Sequence, residues 1–305
     1  MDWFATQCDQ LCAMFGGFFA SRVTDGIMAL ARPALRLSAR HRAERSRLGG
    51  PPVLPAGASW PTWGARRLDF LGVIDFGELA SVLWLPELPG TGAAAFYYVT
   101  EMPRPWGDDP GETDGWRVLP DADVPAGEAT RPEVRLGAAP FVSLPSPHEP
   151  ALWPIAADAN GFAEVYPQLY ESWASFAWGG EPRHQAGGWP MVVQRTLWRD
   201  CALAAAGLPL DSGDLATSAQ TGPPVLGASN GTNAEGTGDR VGNVVHDPAN
   251  TGSGEHDWRL LLQLDSDERL GWYWGETGFV YFSARAADVR AGALDRSWLI
   301  LQATP

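Results

Sequence analysis

Large apolar side chains recur through the first thirty positions at intervals of three or four. Phe4, Leu11, Phe15 and Phe18 or Phe19 keep that spacing, which predicts a helical arm over Asp2 to Ala31, weakened midway by Gly16-Gly17. After Pro33 the period shortens to two. Leu35 and Leu37 alternate with Arg36 and Ser38, the signature of a short strand running toward Gly49-Gly50.

From there an order of elements is repeated. Gly49-Gly50-Pro51 precedes the apolar run Leu68 to Asp75, and Gly92 leads into Phe96-Tyr97-Tyr98-Val99. Later, Gly187-Gly188-Trp189-Pro190 precedes Trp258 to Asp265, and Gly278 leads into Phe279-Val280-Tyr281-Phe282. The ordered parallel predicts an internally duplicated α+β fold with mostly antiparallel sheets and short helices. Asp75 is followed three residues later by Glu78, and Asp265 by Glu268. This is capping-box spacing, so each strand is expected to feed a short helix.

Asp108 to Pro150 is rich in Pro, Gly and acids and reads as irregular connections with short strands. Pro154 to Trp178 is aromatic without a clear period. Gln194 to Ala206 reads as a short helix stopping at Gly207. Residues 207–254 are dominated by Gly, Ser, Thr, Asn, Asp and Pro, too poor in apolar groups to offset their ordering entropy, and predict a mobile insertion. The expected layout is an arm and first strand over 1–47, a first repeat half over 48–150, and a second over 151–305 carrying the insertion 207–254. All of it forms one compact domain.

Charge narrows the partners. A formal net charge of -14 repels a phosphate backbone, which argues against nucleic acid. All 22 basic residues are Arg. Seven of them (Arg22, Arg32, Arg36, Arg40, Arg42, Arg45 and Arg47) fall in one stretch opposed only by Asp25 and Glu44. Pro33 breaks any continuous amphipathic face there, so the stretch reads as a solvated surface rather than a membrane or acidic-partner dock.

No apolar run reaches the length of a membrane helix, and Leu11 to Ala20 follows Asp2 and Asp9 where a signal peptide needs positive charge. Cys8, Cys12 and Cys201 are an odd set without zinc-type pairing, and Cys8 and Cys12, one helical turn apart, read as small thiols on one helix face. These features point to the cytoplasm.

The run Arg47-Leu48-Gly49-Gly50-Pro51-Pro52-Val53-Leu54-Pro55, continuing to Ser59-Trp60-Pro61, resembles the opening motif of the YwqG-like family of uncharacterised bacterial proteins, a domain of unknown function. Leu68 to Asp75, His184-Gln185 before Gly187-Gly188 and Pro190, Leu260 to Asp265, Gly271-Trp272, Trp274-Gly275 and Tyr281-Phe282 follow in the family's order. The resemblance covers about Ala29 to Gln302. It implies the duplicated α+β fold and no assigned reaction, so no catalytic residue is carried over.

Candidate chemistry rests on aromatics and one histidine. Among the 15 Trp, Trp60, Trp189, Trp272 and Trp274 beside His184 and Gln185 are the candidate ligand-binding set, for Trp faces stack on sugars, bases and cations. Core packing accounts for the same residues equally well. Cys201 with His184 and a carboxylate would be a nucleophilic set if they met, and Asp75 with Asp265 an acid pair or oxygen-rich metal site. Glu255-His256-Asp257 and His246-Asp247 offer metal-type donors that acidic loops produce cheaply.

There is no phosphate-binding glycine loop, no Gly-x-Ser-x-Gly elbow and no His-Glu-x-x-His helix. The expectation is a protein-interaction or binding module without catalysis, metal or cofactor, facing an unidentified protein partner or small ligand. The alternative is a small-molecule or glycan-binding protein, or a hydrolase, with a Trp/His-lined cleft between the halves.

Overall fold

The structure, a computed structural model, describes residues 3–41, 43–208, 210 and 254–304. The expected insertion, with His246-Asp247 inside it, therefore lies outside the described residues except at its two ends.

The arm is two helices, α1 (Trp3–Gly16) and α2 (Ser21–Ala29), parted where Gly16 and Gly17 withdraw helix propensity. The chain then runs through β1 (Arg32–Ser38), β2 (Arg47–Leu48), β3 (Val53–Leu54), β4 (Thr62–Trp63), β5 (Arg66–Arg67), β6 (Asp69–Asp75), α3 (Phe76–Val82) and β7 (Ala93–Tyr98). Next come β8 (Trp116–Pro120), β9 (Val124–Pro125), β10 (Val134–Arg135), β11 (Gly137–Ser143), α4 (Trp153–Ala157) and α5 (Phe162–Trp178). The last stretch holds β12 (His184–Ala186), α6 (Leu197–Ala205), β13 (Trp258–Asp265), β14 (Gly278–Arg285), a helix over Ala286–Ala291 and β15 (Trp298–Ala303).

Two antiparallel sheets dominate, a six-stranded one ordered β11-β1-β12-β13-β14-β15 and a five-stranded one ordered β10-β2-β6-β7-β8. They pack face to face. Side chains alternate between layers with the strand period of two: Phe96 and Tyr98 of β7 point into the seam with Val280 and Phe282 of β14. Tyr97 instead joins Val53, Leu54 and Phe70 beneath β3 and β9, and Phe279 and Tyr281 join the helical layer of α1, α2, α5 and α6. Because both faces of β6 and β13 are covered, these strands read as near-continuous apolar runs. The aromatic stretch before Trp178 is α5, which buries Phe162, Tyr166, Leu169, Tyr170 and Trp173 against the six-stranded sheet at helical spacing.

The central hairpins of the two sheets, β6–β7 and β13–β14, match in register. Asp75 pairs with Ala93 and Asp265 with Phe279. Each hairpin then slips register at one place, between Phe70 and Gly72 in the first and between Leu260 and Leu262 in the second. Arg47 lies opposite Val73 and Gln185 opposite Gln263, so both glycine pairs leave their sheets at the same step. All four glycines have left-handed φ, 61° and 73° in one pair and 69° and 68° in the other. A Cβ on Gly49 would lie 2.0 Å from the Pro132 carbonyl oxygen and 2.9 Å from Leu270. One on Gly187 would lie 2.8 Å from Leu85.

The leading strands are exchanged. β1, just ahead of β2 in the chain, pairs with β12 in the other sheet, while β10, just ahead of β11, pairs with β2. Pro33 is tolerated in β1 because β12 pairs only from Leu35 onward, so its missing N–H falls where β1 has β11 alone beside it.

The expected caps are half right. Asp75 does cap α3, accepting from the Glu78 amide at 3.0 Å. Glu78 does not return to Asp75; it receives the amides of Glu44, Arg45 and Ser46, while the Asp75 amide donates to Ser46 Oγ. In the second hairpin the cap is Asp267 rather than Asp265, since the chain makes one more bridge, Asp267 to Trp272, before its 3-10 turn begins at Glu268.

Candidate functional site

His184 is one of the two fully enclosed titratable candidates, with Cys201. β12 carries it into the six-stranded sheet, where its side chain is 1% exposed. Its Nδ1 accepts the Asp265 amide at 3.2 Å, so the ring hydrogen sits on Nε2, 3.3 Å from Asp267 Oδ2. Asp265 turns its carboxylate to the Arg183 amide at 2.7 Å. In accepting the Asp265 amide, His184 takes the place that Ser46 takes in the other sheet, where its hydroxyl receives the amide of Asp75.

From His184 a polar chain runs outward. Asp267 is gripped by Arg269 through Nε at 2.9 Å and Nη2 at 2.8 Å, Arg269 reaches Glu181 at 3.3 Å, and Glu181 reaches Arg40 at 3.2 Å. Burial would push the Asp267 carboxyl up, but hydrogen bonds from His184 and Arg269 outweigh it and hold the group well below the usual carboxylate range.

The other candidates lie in separate compartments. Gln185 donates to the carbonyls of Gly187 and Trp189. Trp189 donates to the Leu30 carbonyl, with the Arg32 guanidinium 3.6 Å above its ring. Trp272 and Trp274 touch, with ring centroids 5.7 Å apart, and Trp274 meets Tyr98 inside the seam. Trp60 is half-buried on the far face of the five-stranded sheet, bonded to the Leu68 carbonyl and edge-on to Tyr97. His184 and Gln185 are neighbours and Trp272 contacts Trp274, but the six residues line no common concavity. The seam where a cleft was expected is filled by packed side chains, Phe96 and Phe282 among them.

Nor do the sequence-level catalytic sets assemble. Cys201 is fully buried on α6, where burial pushes its thiol up, while both ring nitrogens of His184 face Asp265 and Asp267. Asp75 is paired with Arg45 and Asp265 with the Arg183 amide, each within its own sheet. Among the described residues no group of three or more His, Cys, Asp or Glu could hold a metal ion, and no helix is long and apolar enough to cross a membrane.

Two buried glutamines, Gln263 and Gln302, were missed, and they act together with Gln185. Gln185, Gln263 and Gln302 clamp the irregular chain from Arg183 to Arg195: Gln263 takes the Met191 amide, and Gln302 takes those of Val193 and Gln194 while donating to the Arg195 carbonyl. Their signal was a polar residue interrupting an otherwise apolar strand, which marks a buried group with a fixed partner.

Two surface concavities stand out among the described residues. One, about 80 Å³, is lined by Arg36, Ser38, Arg40, His41 and Trp178. The other, about 250 Å³, lies where β8 nears β15 and includes Arg117, Asp295 and Trp298. Elsewhere the Arg104 guanidinium lies 6.0 Å from Trp106 and 5.3 Å from Trp274 and donates to the Tyr273 carbonyl, and Met102, Trp106 and Tyr273 are exposed.

No curated protein matches the chain. A family model described as a domain of unknown function (DUF1963) matches residues 46–303.

Proposed function

The chain belongs to the DUF1963 family, whose description carries no reaction, and from that premise we propose that it is a protein-interaction module without catalysis. One contrast carries the reading. The interior groups with catalytic potential (His184, Cys201, Asp265 and Asp267) are tied to internal partners, whereas Met102, Trp106 and Tyr273 present apolar surface to solvent. Exposed aromatics beside an Arg are the usual anchors of a protein contact. The net charge of -14 selects a partner with a basic surface. A cytoplasmic setting belongs to the same proposal, as does the reading of the two sheets as duplicate copies, which the shared register slips support. A small ligand held in a Trp/His-lined cleft is the weaker reading, because Trp189, Trp272, Trp274 and His184 are all buried.

The test is capture from native lysate with chemical crosslinking at low and high salt. A stoichiometric partner that weakens with salt and is lost in a Trp106→Ala, Tyr273→Ala double variant is expected. Absence of any stoichiometric partner, or one indifferent to the double variant, counts against the reading.

A further inference from the structure

We propose that the pocket of Arg36, Ser38, Arg40, His41 and Trp178 binds a phosphate-sized oxyanion. It sits at the end of β1, on the face covered by α5. Arg36 and Ser38 share that face of the strand, and Arg40 and His41 follow it just past the edge.

The cationic groups are already held in place. Arg36 Nη1 donates to the Ala177 carbonyl, and Arg40 Nη2 donates to the Gly179 carbonyl at 3.0 Å. These carbonyls belong to the C-terminal end of α5, whose negative pole would otherwise repel an anion, so the two guanidinium groups both cap the helix and cancel its pole. The Arg40 backbone amide donates to Ser38 Oγ at 3.1 Å, which fixes the turn carrying Arg40 and His41.

What is left unsatisfied points to a ligand. Arg36 Nε is buried without a hydrogen-bond partner among the described residues, and an N–H of a charged group left unpaired in the interior is an expensive omission. An oxyanion in the pocket compensates the guanidinium charge. Among the described residues the charged or titratable groups that line the cavity are Arg36, Arg40 and His41, and Glu181 pairs with Arg40 and with Arg269. Glu181 is divided between Arg40 and Arg269 and so neutralises neither fully. Burial lowers the His41 imidazole, and Arg36 and Arg40 lower it further, as expected where positive charge is undercompensated. Trp178 supplies an apolar wall. A volume of about 80 Å³ suits a phosphate or sulfate group.

The test is NMR of the His41 ring during titration with inorganic phosphate at constant ionic strength, with glycerol phosphate as a second arm. A saturable shift of the His41 signals is expected, with its titration midpoint rising as phosphate is added. Arg36→Gln and Arg40→Gln should each weaken binding at least tenfold, while Arg117→Gln, remote from the pocket, should not. Because the Arg40 side chain is 60% exposed, its variant keeps the test decisive if Arg36→Gln fails to fold. Tighter binding of glycerol phosphate assigns the pocket to a phosphomonoester, and weaker binding assigns it to the free anion. No saturable shift in the native protein, or equal affinity in Arg40→Gln, overturns the proposal. The result is independent of the protein-contact reading, which concerns a different surface.

Discussion

Phe96 and Phe282 meet edge to face in the seam between the sheets, ring centroids 5.0 Å apart and planes at 72°. Each lies opposite the first residue after its hairpin's register slip, Gly72 for Phe96 and Leu262 for Phe282. The irregularity in each hairpin thus delivers one ring to the same central contact.

Either ring replaced by Ala should destabilise the fold by roughly 3–5 kcal/mol, since both are wholly buried and the seam cannot collapse around the void. A double-mutant cycle followed by urea unfolding should give a coupling of about 0.5–1.5 kcal/mol for the aromatic pair. Strict additivity would show that the two rings do not support one another.

The glycine pairs should differ sharply from left-handed glycines that face open space. Gly57 has φ 75° with nothing within 4 Å of the place a Cβ would take, so Gly57→Ala should cost only the backbone strain, about 1 kcal/mol. Gly49→Ala adds a collision with the Pro132 carbonyl and should cost roughly 4 kcal/mol or more. Equal shifts in the unfolding midpoint of the two variants would contradict the close approach.

Glu149 should make stability fall as pH rises. Burial pushes its carboxyl up to about 7, against the Thr196 hydrogen bond and the Arg32 charge that act to lower it. The unfolded chain releases this proton near pH 4.3 or so, hence the folded state binds more protons between about pH 4.5 and about 7. The stabilisation is fully present below that window and is lost through it, on the order of 3 kcal/mol. Denaturant midpoints measured across the window should decline in the native protein and stay flatter in Glu149→Gln; parallel curves would rule out the assignment.

Thiol labelling should split the cysteines. Cys8 and Cys12 are half-buried on α1 and should react with a small alkylating reagent in the folded protein, whereas Cys201, fully buried, should react only on unfolding. Mass spectrometry of labelled peptides reads the difference, and prompt modification of Cys201 would place it at the surface.

Much of the secondary structure was legible because local signals agreed with it. Trp258 to Asp265 is an apolar run with a polar end, and it is β13 to the residue. The exchange of β1 and β10 was not legible, since β2 and β10 are two residues long and carry no period, and strand partners tens of residues apart leave no local trace. At the candidate site the limit was different. A Trp reads the same whether it faces solvent or a core, so Trp272 and Trp274 could be singled out but not placed. The basic stretch was visible as charge, yet only the fold turns Arg36 and Arg40 toward the end of α5, because α5 lies more than a hundred residues further along the chain.

The interleaved strand order gives the amino terminus an unexpected weight. Losing the first forty residues would not trim an appendage; it would pull an interior stave from the larger sheet and part β11 from β12. Two raw margins, both lined with unmet N–H and C=O groups, would then be open to the same segment of a neighbouring molecule. Clipping by a protease at this end is thus a route to self-association.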